Sequence, residues 1–381
     1  MRHIQGGIVT WPLALLLLAA TTAKAGAREE TEVFEARAVR CGDVLFRNTR
    51  LTRDLTCAGT PIPALTIAAP GVVLDLGGHT VRRAGSGPGD TVGIDSQRDS
   101  TVRNGTIQGF NRGYTYNATV HLHRVALVDN GVAIFHTLGG GGLLLTDSRV
   151  SGSSLGFGSE FDATSGSIDI RGTQFTRNGL ALYVDFHDTR ISSSTFMSNE
   201  IALWCYSGGI HIRSSMFMEN ASVADLTWSN GRFDNCYELV FENSILANNT
   251  AFGTPEDPEW QAFDFQMRNT WVMNNGEGLR LAAQTLDVRG NTWRDNGGGL
   301  TLNNLPDFEP VPQEGPVRGN RFTSNGGDGL RVLPGATPTL SNNVCQNNTG
   351  WGIHAPTAID GGGNVARGNG AGGCVGVVCA P

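Results

Sequence analysis

Asp169, Arg171, Arg190, His211 and Arg213 are residue types that together can move a proton beside an anion. A guanidinium neutralises a sugar carboxylate and acidifies the proton on the adjoining C5 carbon, and an imidazole or a carboxylate then removes it. These residues lie in or beside segments that alternate apolar and polar, such as Ile168-Asp169-Ile170-Arg171, Ile210-His211-Ile212-Arg213 and Leu286-Asp287-Val288-Arg289. That period marks a strand with one buried face, so the polar members share the outer face. Tyr183-Val184-Asp185-Phe186-His187-Asp188 is a second acid/base candidate and leads directly to Arg190. The bland alternative for both sets is a solvated sheet face carrying cross-strand ion pairs.

Scattered side chains form a site only if the chain brings them into register, and the sequence contains a repeat that can do so. Gly172-Thr173-Gln174-Phe175-Thr176-Arg177-Asn178-Gly179 echoes downstream as an apolar residue with Asn three positions later: Phe196/Asn199, Phe217/Asn220, Ile245/Asn248, Trp271/Asn274, Trp293/Asn296, Phe322/Asn325 and Val344/Asn347. Anchors recur every 21 to 29 residues, and a second short strand, such as Leu180-Ala181-Leu182 or Leu300-Thr301-Leu302, follows the Asn. The leucine-rich repeat has an overlapping period, but its L-x-x-L-x-L-x-x-N pattern is missing. We therefore expect an all-β, right-handed parallel β-helix of roughly a dozen coils, each burying its apolar face against the next. Asn tolerates the left-handed backbone of a tight turn, and its amide both donates and accepts. The Asn series is thus assigned to architecture, and the sequons at Asn104, Asn117, Asn220, Asn248 and Asn347 to turns.

Aligning coils on the anchors gives one outward column of His121, Leu144, Asp169, Arg190, His211, Val240 and Asp287. A second holds His123, Thr146, Arg171, Ser192, Arg213, Glu242 and Arg289. Phe135, Tyr183 and Trp204 share an outward register on the following strand, where aromatic faces can stack on sugar rings. We expect Asp169, His187, Asp188, Arg190, His211 and Arg213 to be the reacting groups, and His121, His123, Arg171, Tyr183 and Trp204 to bind substrate.

Among 381 residues, 52 are Gly, 17% are charged and the formal net charge is −7, which argues against nucleic-acid binding. Residues 1–25 read as a secretory signal peptide: a weakly basic start, an apolar run from Ile8 to Ala20, and Ala23-Lys24-Ala25 at a cleavage site. No later segment is apolar enough for a membrane helix. Residues 26–381 then form a single β-helix domain, capped near 28–60 and 355–381 and secreted, or periplasmic if the source is Gram-negative. With seven cysteines in an oxidising compartment, Cys41 with Cys57 and Cys374 with Cys379 are the expected disulfides. Cys205 and Cys236 either pair across neighbouring coils or serve as small buried apolar residues, and Cys345 is left over.

The segments Cys41-Gly42-Asp43, Asp54-Leu55-Thr56-Cys57, Val73-Leu74-Asp75-Leu76-Gly77-Gly78-His79-Thr80-Val81 and Val102-Arg103-Asn104-Gly105-Thr106-Ile107 resemble the opening coils of secreted β-helix proteins of the pectin-lyase-like superfamily. There the third commonly reads LDLNGHTI, and Gly77 replaces its Asn. Relatives include polyuronate lyases, polygalacturonases and alginate epimerases, so the resemblance implies a fold more sharply than an activity. Asp185, His187 and Asp188 are similar to the D-x-H-D part of the Y-G-F-D-P-H-D motif of mannuronan C5-epimerases, with Phe186 replacing Pro and Tyr183 one residue too close.

The paired-Asp motifs of polygalacturonases are not present in clear form, and neither G-x-S-x-G nor a P-loop occurs. The expectation is a secreted polysaccharide-active protein, a lyase or C5-epimerase on an acidic chain. Its rival is a non-catalytic glycan-binding or structural β-helix. No cofactor is expected. The acids of Thr254-Pro255-Glu256-Asp257-Pro258-Glu259-Trp260 could bind calcium, but they lack the ligand spacing of a known loop.

Overall fold

The computed structural model describes residues 33–35, 38–85, 89–160, 166–226, 236–255, 259–304 and 314–381. The leader at 1–25 lies outside the described residues, as do Glu256, Asp257 and Pro258 of the acidic turn. Every described element is a strand, and every strand pairing among the described residues is parallel, in a solenoid of about 14 turns. A parallel crossover is right-handed because a right-twisted strand returns to its sheet only that way.

A well-formed coil carries three strands. Asp188–Ser192, Thr195–Met197 and Ile201–Tyr206 make one coil, and Gly209–Arg213, Met216–Met218 and Ser222–Asp225 stack on it residue for residue. Inward positions form stacks along the axis. Phe175, Phe196 and Phe217 lie with centroids 4.8 and 4.7 Å apart and nearly parallel rings, and Trp293 on Phe322 repeats the arrangement at 4.7 Å. Tight stacking also dictates some glycines: a Cβ on Gly297 would sit 2.0 Å from the carbonyl oxygen of Gly276 one coil away. Past Ser222–Asp225 the corner between third and first strands straightens, and Glu259–Arg268 and Leu279–Arg289 run through it as single long strands.

The Asn series is a continuous ladder of buried amides through Asn178, Asn199, Asn220, Asn249, Asn275, Asn296, Asn325 and Asn348, ending on the partly buried Asn369, with Nδ2 to Oδ1 distances of 2.9–3.0 Å. Each Nδ2 also donates to a carbonyl of the preceding coil, as Asn275 does to Leu246 at 3.0 Å. Each Oδ1 also accepts the backbone N–H of the preceding rung, as Asn275 does from Asn249 at 3.0 Å. Three expected rungs shift by one. Leu246/Asn249, Val272/Asn275 and Cys345/Asn348 replace Ile245/Asn248, Trp271/Asn274 and Val344/Asn347, because those coils carry Asn doublets. The first Asn of each doublet takes the left-handed backbone (φ 56°, 54° and 55°), a position filled elsewhere by Arg177, Ser198, Glu219, Asp295 and Ser324. The turn and the ladder are thus separate jobs at adjacent positions. A shorter second ladder joins Asn291, Asn320, Asn343 and Asn364.

Disulfides join Cys41 to Cys57, Cys205 to Cys236 and Cys374 to Cys379, while Cys345 is free and buried.

Candidate functional site

The outward columns form as aligned. His121, Leu144, Asp169, Arg190, His211, Val240, Gln266 and Asp287 are successive register partners, and His123, Thr146, Arg171, Ser192, Arg213, Glu242, Arg268 and Arg289 run beside them. Their middle members line a groove of ≈ 570 Å³ that includes Asp169, Arg171, Arg190, His211, Arg213, Glu238, Glu242 and Arg268. Four guanidinium groups face three carboxylates there, a local cationic excess on a chain of net charge −7.

Most charges in the groove are already engaged. Arg171 Nε donates to Asp169 Oδ1 at 2.8 Å. Glu242 bridges Arg213 (2.8 Å) and Arg268 (3.2 Å), and Arg268 also reaches Asp287 at 2.7 Å. Burial would raise the Asp287 carboxyl, but bonds from Arg289 and Arg268 outweigh it and hold Asp287 below the usual carboxylate range. Two features stand apart. His211 Nε2 lies 2.7 Å from Glu238 Oε2. Arg190, directly between Asp169 and His211 in the column, has no hydrogen-bond or ion-pair partner among the described residues.

An aromatic edge runs along the N-terminal ends of these strands. Phe186 (43% exposed) meets Tyr206 at 5.7 Å, and Tyr237 (65% exposed) meets Phe263 at 5.1 Å. The Cys205–Cys236 disulfide fastens the segment carrying Tyr237 and Glu238 to the coil below.

The remaining expected residues are placed elsewhere. Asp188 points outward at the groove's edge, in a column with Gly209 and Glu238. His187 does not join it, because the corner at Phe186 (φ 51°) turns the imidazole into the rod, where it is 1% exposed. Asp185 is buried as well, so the three acid/base groups compared with the epimerase motif do not converge on one surface. His121 and His123 share Thr146 Oγ1 at 2.9 and 2.8 Å, two coils from Asp169 and outside the groove. Tyr183 and Trp204 pair at 4.8 Å on the third face, and Phe135 is covered by Arg112, 4.7 Å from its ring. Glu238, Gln266, Arg268 and the aromatic edge were missed. The alternation in Glu238-Leu239-Val240-Phe241-Glu242 and Asp264-Phe265-Gln266-Met267-Arg268 carries the signal for the first three.

Inside the rod, His187 Nε2 lies 3.0 Å from His136 Nδ1, and Tyr116 stacks on His136 at 4.7 Å. Burial, and then the neighbouring His187, push His136 down to about 4, and burial lowers His187 too. Both are therefore neutral in the fold, while an unfolded imidazole takes a proton near 6.5. This stabilisation is complete above that value and is lost as pH falls towards 4. For His136 alone it amounts to about 3 kcal/mol. Denaturant midpoints between pH 7 and pH 4.5 are expected to fall more steeply for the wild type than for a His136→Phe variant.

The groove thus lies on one face of an all-β parallel β-solenoid. Residues 229–365 match the NosD family, described as a periplasmic copper-binding protein. Among solved structures, the catalytic domain of a GH87 α-1,3-glucanase in complex with nigerose is similar, with 13% identity over 86% of this chain and 62% of that one, at TM-score 0.40. A substituted form of such a domain with tetrasaccharides gives 12% identity, 84% and 62% coverage, and TM-score 0.39. The chain thus spans about three-fifths of the length of those glucanase chains. No curated protein matches.

Proposed function

We propose that the protein is exported and that the groove binds a linear acidic polysaccharide, on which it acts as a lyase or C5-epimerase. The observation that carries this reading is Arg190, a cation without a partner among the described residues, one coil from the His211–Glu238 pair. Arg190 would take the sugar carboxylate. With the imidazole proton on Nε2 and directed at Glu238, the lone pair is left on Nδ1, which can accept the C5 proton. The imidazolium then hands that proton to O4 as the C4–O4 bond breaks, giving an unsaturated sugar, a hydroxyl on the leaving chain and the neutral imidazole again. Alternatively, a water on the opposite face protonates C5 and inverts it, and the hydroxide left behind takes the proton from the imidazolium. The Phe186–Tyr206 and Tyr237–Phe263 pairs supply stacking surface along one side.

The reading of an exported protein is supported by three disulfides, which persist in oxidising compartments. The periplasmic description of NosD agrees with it. Copper does not follow. Within 229–365, Cys236 is in a disulfide and Cys345 is buried, with its thiol pushed up by that burial. Among the described residues no three His, Cys, Asp or Glu side chains are placed to hold a metal ion.

The rival is a binding module, favoured by the ion pairs that engage Asp169, Arg171, Arg213, Glu242 and Arg268 with one another. Incubation with polygalacturonate and with alginate distinguishes them. Ultraviolet absorbance reads unsaturated ends and NMR reads inverted residues, with calorimetry in parallel. Turnover on either polymer is the expected result. Binding without turnover leaves the rival, and neither binding nor turnover overturns both.

A further inference from the structure

The loop that leaves the long amide ladder changes length in one part of the rod. After Asn178, Asn199 and Asn220 a single residue precedes the next strand, which starts at Leu180, Ile201 and Ser222. After Asn275, Asn296 and Asn325 three, three and four residues intervene before Leu279, Leu300 and Leu330. The lengthened loops are Gly276-Glu277-Gly278, Gly297-Gly298-Gly299 and Gly326-Gly327-Asp328-Gly329. Together they floor a concavity of ≈ 480 Å³, walled by Arg280, Arg331, Glu277 and Asp328.

The wall has binding capacity left over. Arg280, Thr301 and Arg331 are successive outward partners, so the two guanidinium groups stand two coil heights apart, about 10 Å. Arg280 and Glu277 have no hydrogen-bond or ion-pair partner among the described residues. Asp328 is engaged: its Oδ1 accepts the Trp351 N–H at 2.7 Å, and Oδ2 lies 3.7 Å from Arg331.

The floor has two glycines that the protein itself does not require. Gly298 and Gly327 have no positive φ, and a Cβ on either would meet nothing closer than 3.4 and 3.6 Å, which is ordinary contact. A Cβ there would be accommodated, and a longer side chain would extend into the concavity. Their backbone N–H groups have no protein partner among the described residues. Glycine at such a position carries an entropic cost, and what it preserves is room beside unpaired donors.

We infer that this concavity is a second binding site, separate from the groove, for a sugar unit bearing an oxyanion. Arg280, assisted by Arg331, takes the charged oxygens, Glu277 accepts from hydroxyls, and the open floor admits the ring. The volume is within the range of about 300–1,000 Å³ usual for small-ligand sites. The choice of a sugar rests in part on the glycan reading of the groove, whereas the oxyanion preference rests on Arg280 and Arg331 alone.

The test uses the full chain carrying Arg190→Ala, which removes the free cation of the groove. Titration calorimetry with an oligogalacturonate of defined length is expected to retain one site. Arg280→Ala and, separately, Gly327→Leu should each weaken that site at least tenfold, with Arg280→Lys intermediate and the melting temperatures unchanged. Inorganic phosphate should compete, and a neutral maltooligosaccharide should bind far more weakly. The site is overturned if no binding remains in the Arg190→Ala background. It is equally overturned if Arg280→Ala and Gly327→Leu leave the residual binding unchanged, or if the neutral sugar binds as well as the acidic one. If Arg190→Ala has no effect on the wild-type titration while Arg280→Ala abolishes it, the groove reading fails and this one stands.

Discussion

His211→Ala is expected to reduce turnover on the responsive polyuronate by about 10²–10⁴-fold, a barrier increase of about 3–5 kcal/mol, without lowering the melting temperature. The side chain is half-exposed and its polar contact is the partly exposed Glu238 at 2.7 Å, so its loss leaves no buried group unpaired. Glu238→Gln keeps the shape but no longer holds the imidazole proton on Nε2 with a charge, and should lose less, about tenfold. Arg190→Ala should act differently. An interaction with the sugar carboxylate that is present in the bound substrate and strengthens as C5 loses its proton affects both KM and kcat, and Arg190→Lys should restore part of each. Steady-state kinetics on the four proteins decide the matter. If His211→Ala turns over like wild type, the imidazole is no base. If Arg190→Ala leaves KM and kcat unchanged, the free guanidinium is not the carboxylate partner.

These residues could be ranked from sequence because strand periodicity fixes which side chains point outward. The columns through Asp169, Arg190 and His211 follow once one anchor per coil is identified. Two things were not legible. The first strand of the coil anchored at Trp271 is merged across a straightened corner into the ten-residue Glu259–Arg268, and Gln266 and Arg268 are absent from the expected columns although they alternate like their neighbours. His187 is expected in the groove because Asp185-Phe186-His187-Asp188 resembles the epimerase motif and leads directly to Arg190. Strand alternation does not survive a corner, however, and the left-handed Phe186 reverses the next side chain. Local period therefore predicts faces within strands and is silent at bends such as the one at Phe186.

The same limit explains the misplaced rungs and leads to a sharp contrast in stability. In Asn274-Asn275 the two residues look alike in sequence, but only Asn275 is a rung. Asn275→Ala removes four hydrogen bonds at once: those its Oδ1 accepts from the N–H and Nδ2 of Asn249, and those its Nδ2 donates to Leu246 O and Asn296 Oδ1. The site is 2% exposed, so water does not replace them freely. At about 1 kcal/mol for each bond, the expected loss is about 4 kcal/mol. Asn274 holds the left-handed backbone at φ 54°, and glycine adopts that conformation without strain, so Asn274→Gly should shift stability by less than about 1 kcal/mol. Coils in a solenoid contact only their neighbours, so the damage at Asn275 should also be local. Hydrogen exchange is expected to rise at Asn249 and Asn275 and their adjoining coils while the Phe175–Phe217 stack stays protected. Equal denaturation midpoints for the two variants would show that the amide ladder does not hold the coils in register.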